Sequence, residues 1–205
     1  MVPGSIVTFG HYEQDNSSKT KDGIEWIVLD VQDGKALLLS RWVLDTQQYN
    51  RKDQPVTWEK CSLRSWLNRE FIKAAFSKEE QKSIVSTVVP NGPEQNSPRY
   101  STDGGNDTED RVFLLSYAEA WKYLDTGHAR IAAATPYAAK RGATSAGAYL
   151  VDGLGATPWY LRTPIDTLDR VGFVGISGTH SGNGVTVKDI GVRPALWVDA
   201  ASIVS

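Results

Sequence analysis

The last quarter of the chain limits the possible fold most, because two strand-like segments enclose a stretch of turn-forming residues. The segments at 159–164 and 191–198 each combine aromatic and β-branched residues with one arginine. This composition favours half-buried strands whose charged side chain must find a partner inside the protein. Between the two segments, glycines alternate with valine, isoleucine and phenylalanine. The pattern predicts short strands joined by tight turns.

These segments resemble those of a known group of proteins. A W-x-L-R-T-P strand at 159–164, a glycine-rich middle and a closing G-V-R-P-A-L-W strand at 191–197 are similar to an uncharacterised bacterial domain family with a C-type lectin-like fold. Further blocks resemble that family in the same order, at 10–15, 24–30, 58–68 and 111–116. The resemblance implies a C-type lectin-like fold.

A more distant resemblance bears on function. Arg162 and the triplet Gly191-Val192-Arg193 resemble the ends of formylglycine-generating enzymes and of the variable proteins of diversity-generating retroelements. The enzymes use a cysteine pair in their C-terminal region, whereas this chain has one cysteine, Cys61. In the variable proteins the region equivalent to 160–190 is the diversified one, which implies a recognition surface there.

Composition narrows the class of protein. A chain of 205 residues with 40% hydrophobic content can bury one sizeable core, so we expect a single domain over residues 1–205. The net charge of −2, with no basic run among aromatic residues, argues against a nucleic-acid partner. No apolar run approaches the roughly 20 residues that span a bilayer, so no membrane insertion is expected. The start of the chain is not a signal peptide; we favour a bacterial or phage protein at the cell surface or secreted, with a cytoplasmic location as the alternative.

In the N-terminal third, strands are predicted at 5–9, 24–31 and 35–41. Asp33-Gly34 lies between the last two strands and tolerates the positive φ of a type I′ turn, so these strands form a hairpin.

Helices are predicted from caps and periodicity. Thr57 caps a helix with an apolar stripe at Leu63, Trp66, Leu67, Phe71 and Ala74. Capping boxes at Ser77/Glu80 and Ser116/Glu119 begin two more helices, the latter with Tyr117, Ala120, Trp121 and Leu124 on one face. Thr135-Pro136 begins a short helix that ends at Gly142.

The remaining stretches are assigned as strands or loops. We predict strands at 84–89 and 111–115 and a loop at 143–157, while the polar stretch 90–110 has the length of a functional or mobile loop. Taken together, the elements predict an α+β protein, in which two main helices pack on small antiparallel sheets with long irregular loops.

Catalytic and metal chemistry has weak support in the sequence. Cys61 near a helix start can have a lowered thiol pKa, but a small buried hydrophobic side chain is favoured. His11, His128 and His180 share no ligand-like spacing. The acidic stretch 103–110 offers oxygen ligands for calcium, yet it lacks the spacing of an EF-hand, so a solvated loop is favoured. We therefore predict no catalytic residue, no metal site and no cofactor.

Aromatic and arginine residues are assigned mainly to the interior. Core positions are predicted for five tryptophans, Trp26, Trp42, Trp66, Trp121 and Trp197. Adjacent strand residues face opposite ways, so one ring of Trp159 and Tyr160 is predicted to leave the core. Arg162 and Arg193 lie among apolar neighbours, which favours internal ion pairs over binding of an anionic ligand.

These observations predict a non-catalytic module that binds a protein or glycan ligand on a face built by residues 160–190. The predicted ligand-binding residues offer donors, acceptors and apolar contacts on short strands and turns: Tyr160, Asp166, Thr167, Asp169, Arg170, Phe173, Ser177, Thr179, His180, Asn183, Thr186 and Lys188. Two alternatives stay open. One is an oxidase of the formylglycine-generating type or another enzyme on the same fold, and the other is a structural interaction module with an exposed apolar patch.

Overall fold

A computed structural model describes residues 1–15, 17 and 21–203 and shows a mixed α and β protein in which strands predominate. The strands are β1 Ile6–Tyr12, β2 Asp22–Gln32, β3 Lys35–Ser40, β4 Asp45–Thr46, β5 Ile84–Val85, β6 Thr87–Val89, β7 Thr108–Asp110, β8 Ala132–Ala133, β9 Ala146–Val151, β10 Leu154–Thr157, β11 Trp159–Pro164, β12 Arg170–Val174, β13 His180–Gly184, β14 Gly191–Val192 and β15 Ala195–Asp199. The helices are α1 Ser62–Trp66, α2 Ile72–Ala75, α3 Lys78–Ser83, α4 Tyr117–Tyr123, α5 Gly127–Arg130 and α6 Pro136–Lys140, with a π-helical turn at Leu67–Phe71 and 3₁₀ turns at Trp58–Lys60, Pro93–Gln95 and Ala200–Ser202.

One five-stranded antiparallel sheet joins the two ends of the chain, in the order β1-β2-β3-β15-β5. β2 and β3 form the predicted hairpin, and Asp33 and Gly34 have φ values of 49° and 73° at its turn. β15 pairs with β3, so that Trp197 lies opposite Leu37. The structure therefore confirms both the hairpin and the turn that Asp33-Gly34 predicts.

A second five-stranded sheet, β13-β12-β11-β14-β4, carries most of the predicted binding region. β11 is its central strand and pairs with β12 antiparallel and with β14 parallel. The segment predicted as one strand at 191–198 is divided at Arg193, since β14 belongs to this sheet and β15 to the first. The buried Arg193 lies where the chain passes between the two sheets. The internal ion pair predicted for Arg193 is wrong, because its guanidinium donates to the carbonyls of Ser40 and Arg130 and pairs with no carboxylate of the described residues.

The first helical segment begins four residues later than predicted. Thr57 precedes a 3₁₀ turn and makes no side-chain cap, whereas the Sγ of Cys61 accepts a hydrogen bond from the Arg64 amide. Leu63, Trp66, Leu67 and Phe71 are buried as the stripe predicts, while Ala74 is only half buried. The π-helical turn in mid-helix advances the buried face, so that Ile72 and Ala75 point inward instead.

The other helix starts follow the sequence signals. Ser77 with Glu80 and Ser116 with Glu119 both form complete capping boxes. Thr135 caps α6, which ends before Gly142 at a φ of 111°.

Four local predictions are wrong. Residues 84–89 divide into β5 and β6, which belong to different sheets. The stretch 90–110, called the 90–110 loop below, is not a loop to its end, because its last three residues form β7 and pair with β6. Residues 111–115 form no strand, although Phe113 makes a single bridge to Ala195. Residues 143–157 are not a loop, because β9 and β10 form a hairpin whose turn, Asp152-Gly153, has φ values of 51° and 82°.

A continuous cluster of buried apolar residues connects both large sheets and the helices. Trp159 and Tyr160 are both fully buried, so the expectation that one ring leaves the core is wrong. The Trp159 indole donates to the Arg130 carbonyl, and the Tyr160 hydroxyl donates to the Val187 carbonyl. Both faces of β11 are covered, because all six of its residues are buried. Tyr160 packs against Tyr49, from the loop after β4, and Trp159 packs against Arg193, between β14 and β15.

Candidate functional site

Helix α4 presents two aromatic rings at the protein surface. Tyr117 and Trp121 are four residues apart, which places them on one side of the helix. Their rings stack with centroids 4.2 Å apart and an angle of 20° between planes. On the inward side Ala120 and Leu124 are buried, so α4 is held by the core while the ring pair remains half exposed.

The position of α4 is fixed by a buried ion pair. Glu119, in the first turn, accepts hydrogen bonds from both terminal nitrogens of Arg162 on β11. The Arg162 guanidinium also donates to the carbonyls of Leu114 and Pro90, at 2.8 and 3.0 Å. This network joins α4, the central strand and the start of the 90–110 loop, as expected for a fold-fixing arginine.

His180 completes an aromatic cluster at the start of β13. Its ring centroid lies 4.7 Å from that of Tyr117, 5.8 Å from Trp121 and 6.1 Å from Tyr100, which belongs to the 90–110 loop. The imidazole lies over Gly172 on β12, where a Cβ would come within 2.8 Å of Nε2. A glycine is therefore needed opposite the ring.

Burial sets the charge state of His180. It lowers the pKa of the imidazole to about 4, so the ring is neutral at physiological pH. Nε2 is closed off from solvent and has no hydrogen-bond partner in the part of the chain that the structure describes.

The cluster borders a pocket of about 320 Å³ between the 90–110 loop and β13. Its lining consists of Ser97, Pro98, Arg99, Tyr100, Tyr117 and His180. The buried Oγ of Ser97 has no hydrogen-bond partner among residues 1–15, 17 and 21–203. The pocket thus combines aromatic walls, an unused hydroxyl and one basic side chain, which are the elements of a small-molecule binding site.

A larger cleft of about 520 Å³ beside α1 offers less for a ligand. Its buried carboxylate, Asp110, accepts hydrogen bonds from Arg64, Trp58 and Thr108 at 2.6, 3.0 and 2.7 Å. Asp110 therefore stabilises the fold, and the prediction that stretch 103–110 is solvated is wrong at this residue. Asp107 in the same stretch is exposed and accepts from the Asn91 amide.

The sequence-predicted binding residues lie on more than one surface. Of the twelve, only His180 lines the pocket. Tyr160 is fully buried, which contradicts its predicted role as a ligand contact, because its ring packs 5.9 Å from Tyr49 inside the core. Ser177 and Thr179 lie in the turn before His180, with their hydroxyl oxygens 2.9 Å apart.

Others of the twelve lie on the turn between β11 and β12 or near the sheet edge. Arg170 forms an exposed ion pair with Asp166 at 2.8 Å, and Thr167 donates to Asp169 beside it. Phe173, half buried, lies opposite Ser181 in the strand pairing, whereas His180 pairs with Val174.

The last three of the twelve follow β12 in the chain. Asn183 and Lys188 are exposed, and Thr186 is half buried, with its carbonyl accepting from Gln48. Because neighbouring strand residues alternate between faces, the twelve residues do not form one surface.

Sequence reasoning missed Ser97, Arg99, Tyr100 and Tyr117 as site residues and placed Trp121 in the core. Trp26 and Trp66 are buried as predicted, whereas the other three tryptophans assigned to the core are half buried. The i,i+4 pair of large aromatic residues after a capping box was the available signal.

The environment of Cys61 does not favour a reactive thiol. Cys61 is buried, and burial raises its thiol pKa to about 12, so a free thiolate is not present at neutral pH. In the described ranges no group of three or more histidine, cysteine, aspartate or glutamate side chains is arranged to hold a metal ion.

Comparison with known proteins identifies the chain only at the level of a domain family. No curated protein and no solved structure matched the sequence. Within the described residues no helix is long and apolar enough to cross a membrane. The family defined as Domain of unknown function (DUF6273) matches residues 33–200, which is more than half of the chain and confirms the prediction of an uncharacterised domain family. The chain therefore belongs to the DUF6273 family.

Proposed function

We propose that the protein is a non-catalytic recognition module of C-type lectin-like fold that binds a ring-shaped group of a glycan or protein ligand. The binding site is the pocket between the 90–110 loop, α4 and the start of β13. Of the predicted face at 160–190, this proposal keeps His180 and replaces most other contacts with residues from α4 and the loop.

The proposed fold is supported by the course of the chain. β1 and β15, near the two ends, lie in the same sheet, and the helices pack beside small curled antiparallel sheets. Arg162 and Arg193, which carry the sequence resemblance, are both buried at the junction of these sheets and loops.

The proposed binding site rests on one observation, the convergence of four rings beside an unused hydroxyl. Tyr100, Tyr117, Trp121 and His180 come from three separate segments and remain half exposed. Half-exposed aromatic faces lose water when a ring stacks on them, and this loss supplies binding energy without any change in the fold. Ser97 Oγ can add direction by pairing with a polar group of the ligand.

A matched pair of variants tests this proposal. Tyr117→Ala removes a pocket wall, whereas Tyr123→Ala removes a half-exposed tyrosine of the same helix that does not line the pocket. Each variant is screened for binding on an array of glycans and peptides and by amide chemical-shift perturbation. We expect Tyr117→Ala to lose the ligands of the wild-type protein and Tyr123→Ala to retain them. The opposite order would contradict the proposed site.

The β9–β10 hairpin supports a second function, that of an interaction module. Tyr149, Leu150 and Leu154 are 45%, 53% and 49% exposed within one hairpin, and an exposed apolar group of this kind marks a protein contact. Sedimentation of Leu150→Ser beside the wild-type protein tests it, since only an assembly formed through the hairpin would dissociate. The alternative of a formylglycine-type oxidase lacks support, because that chemistry needs a cysteine pair and Cys61 is buried and alone. Another enzyme activity on the same fold stays an open alternative.

A further inference from the structure

We propose that the ligand of this pocket is an acidic saccharide residue, a pyranose ring that carries a carboxylate. This inference rests on the proposed function and narrows it from any ring-shaped group to one chemical class. Three properties of the pocket lead to it: its charge, its size and the arrangement of its polar atoms.

The charge around the pocket is positive and largely uncompensated. Arg99 is exposed in the lining and forms no ion pair with any described residue, and its guanidinium lies 5.7 Å from the Tyr100 ring. Among the described residues, no carboxylate lines the pocket. An anionic group at the rim would therefore meet a free guanidinium, which is the side chain best suited to a carboxylate.

A second guanidinium lies behind the aromatic pair. Arg130 is buried, stacks 4.2 Å from the Trp121 ring and donates to the carbonyls of Gly178 and Leu124. It forms no salt bridge with a described residue, although the carboxylate of the exposed Asp125 offsets part of its charge. Its charge lies beside Trp121, within the aromatic cluster that borders the pocket.

The charge of Arg99 argues against a cationic ligand. Three aromatic rings around a cavity can hold an ammonium group through cation–π contacts. Here, however, a cation would meet the exposed guanidinium of Arg99 in a lining that contains no carboxylate among the described residues, and like charges at short range disfavour binding. The same arrangement favours a neutral or negative ring.

The size of the pocket fits one monosaccharide. Its volume of about 320 Å³ is at the lower end of the roughly 300–1,000 Å³ typical of small-molecule sites. The apolar face of a pyranose can pack on Tyr100 and Tyr117. Ser97 Oγ is closed off from solvent and has no partner among the described residues, so a ring with several hydroxyl groups can pair with it after a small movement of the lining side chains.

The experiment compares two sugars that differ at a single carbon. Methyl β-D-glucuronide and methyl β-D-glucoside share the ring and the other hydroxyl groups, and only the former carries a carboxylate. Both are titrated into the wild-type protein, and dissociation constants are obtained from amide chemical shifts. We expect the glucuronide to bind about tenfold more tightly or better, as one charge-assisted hydrogen bond would give. Added salt should reduce this preference, because Arg99 is exposed.

Two arginine variants test whether Arg99 causes the preference for the glucuronide over the glucoside. Arg99→Gln should remove the difference between the two sugars while leaving the weaker affinity for the glucoside. Arg170→Gln removes an equally exposed arginine that is already paired with Asp166 away from the pocket, and it should leave both affinities unchanged. Both positions are exposed, so folding of the variants is not at risk.

The outcomes separate this inference from the proposed function. Equal binding of both sugars, lost in Tyr117→Ala, would overturn the acidic ligand and leave the pocket in place. If phenylacetate binds and neither sugar does, the ligand is an anionic ring but not a saccharide, and the inference of an acidic saccharide is overturned. A glucuronide preference that survives Tyr117→Ala would contradict the pocket itself, and a lack of response to all three compounds would overturn the inference.

Discussion

The carboxylate of Glu119 accepts hydrogen bonds from both terminal nitrogens of the Arg162 guanidinium and from the Ser116 amide at the start of α4. One side chain therefore closes a helix cap and neutralises a fully buried cation. Arg162 in turn donates to the Pro90 carbonyl, where the pocket loop begins. The geometry of the aromatic cluster thus depends on an ion pair that does not itself line the pocket.

Glu119→Gln should strongly destabilise the protein. The substitution leaves the Arg162 charge buried without its counter-ion, and breaking a buried pair from one side costs about 3–5 kcal/mol, with the lower end expected because Glu119 is 23% exposed. Urea unfolding measures the change. The exposed control Glu79→Gln, which breaks the surface pair with Lys82, should cost at most about 1 kcal/mol.

The pair also predicts a response to acid. Burial opposes the charge of Glu119, but Arg162 and the Ser116 amide outweigh this effect and lower the pKa of the carboxyl group. A carboxyl group with a lowered pKa stabilises the fold above its unfolded-state pKa of about 4.3, and this contribution is lost as the pH falls further. A wild-type protein whose acid unfolding matched that of Glu119→Gln would contradict the role assigned to the pair.

Arg193→Ala should also cost about 3–5 kcal/mol, because it empties a large buried volume and leaves two buried carbonyl groups without their donor. The side chain is fully buried and donates to the Ser40 and Arg130 carbonyls, and its guanidinium lies 4.9 Å from the Trp159 ring. Burial lowers its pKa to about 9, so it remains charged at neutral pH.

Two further variants distinguish charge from volume at this position. Neither substitution leaves a described carboxylate unpaired. Arg193→Met keeps most of the volume and should be less destabilising than Arg193→Ala, because only alanine leaves a large cavity. The exposed control Arg170→Ala should change stability by about 0.5 kcal/mol or less. An Arg193→Ala protein as stable as the control would show that the site tolerates an empty volume.

Local chemistry was predictable from the sequence wherever a turn or cap depends on neighbouring residues. The Asp33-Gly34 turn and the capping boxes at Ser77 and Ser116 form as expected because their partners lie within four positions. Asp152-Gly153 carries the same Asp-Gly turn signal, but the small residues around it are typical of a loop, and residues 143–157 were therefore predicted as one. The hairpin was thus within reach of sequence reasoning.

The candidate site was less predictable because its residues come from distant segments. Tyr100 belongs to a loop without periodicity, Tyr117 to α4 and His180 to β13, and only the fold brings their rings together. Tyr160 was assigned to the surface from strand alternation alone. Alternation fails there because β11 is central in its sheet and loops cover both faces.

Cys61 should resist thiol reagents in the native state. It is 2% exposed, so a reagent cannot reach the sulfur. Burial also raises the thiol pKa to about 12, so the reactive thiolate does not form at neutral pH. Native protein should react with a disulfide reagent only at the rate of unfolding, and denaturant should release one reactive thiol. Rapid labelling of the native protein would contradict the buried position.

Cys61→Ser should have a small effect on stability. Sγ accepts from the Arg64 amide at the start of α1, and a serine hydroxyl would cap the helix better while costing more to bury. We expect a change within about 1 kcal/mol by urea unfolding. Binding at the pocket should be unchanged, since Cys61 does not line it.

His180 should make the protein less stable as the pH falls from neutral toward 5. In the folded protein, burial lowers the pKa of the imidazole to about 4, whereas in the unfolded chain it is about 6.5. Between these values the unfolded chain binds the additional proton, so the free energy of unfolding decreases as the pH is lowered and is fully recovered above pH 6.5. The slope from one group is at most about 1.4 kcal/mol per pH unit, and the partial exposure of His180 reduces it. Glu119 does not interfere because it titrates below this window. His180→Gln should flatten the stability profile between pH 5 and about 6.5, while His128→Gln, at an exposed histidine, should retain it. An unchanged slope in His180→Gln would mean that the imidazole gains its proton in the folded state as easily as in water, and that the aromatic cluster is more open than its geometry indicates.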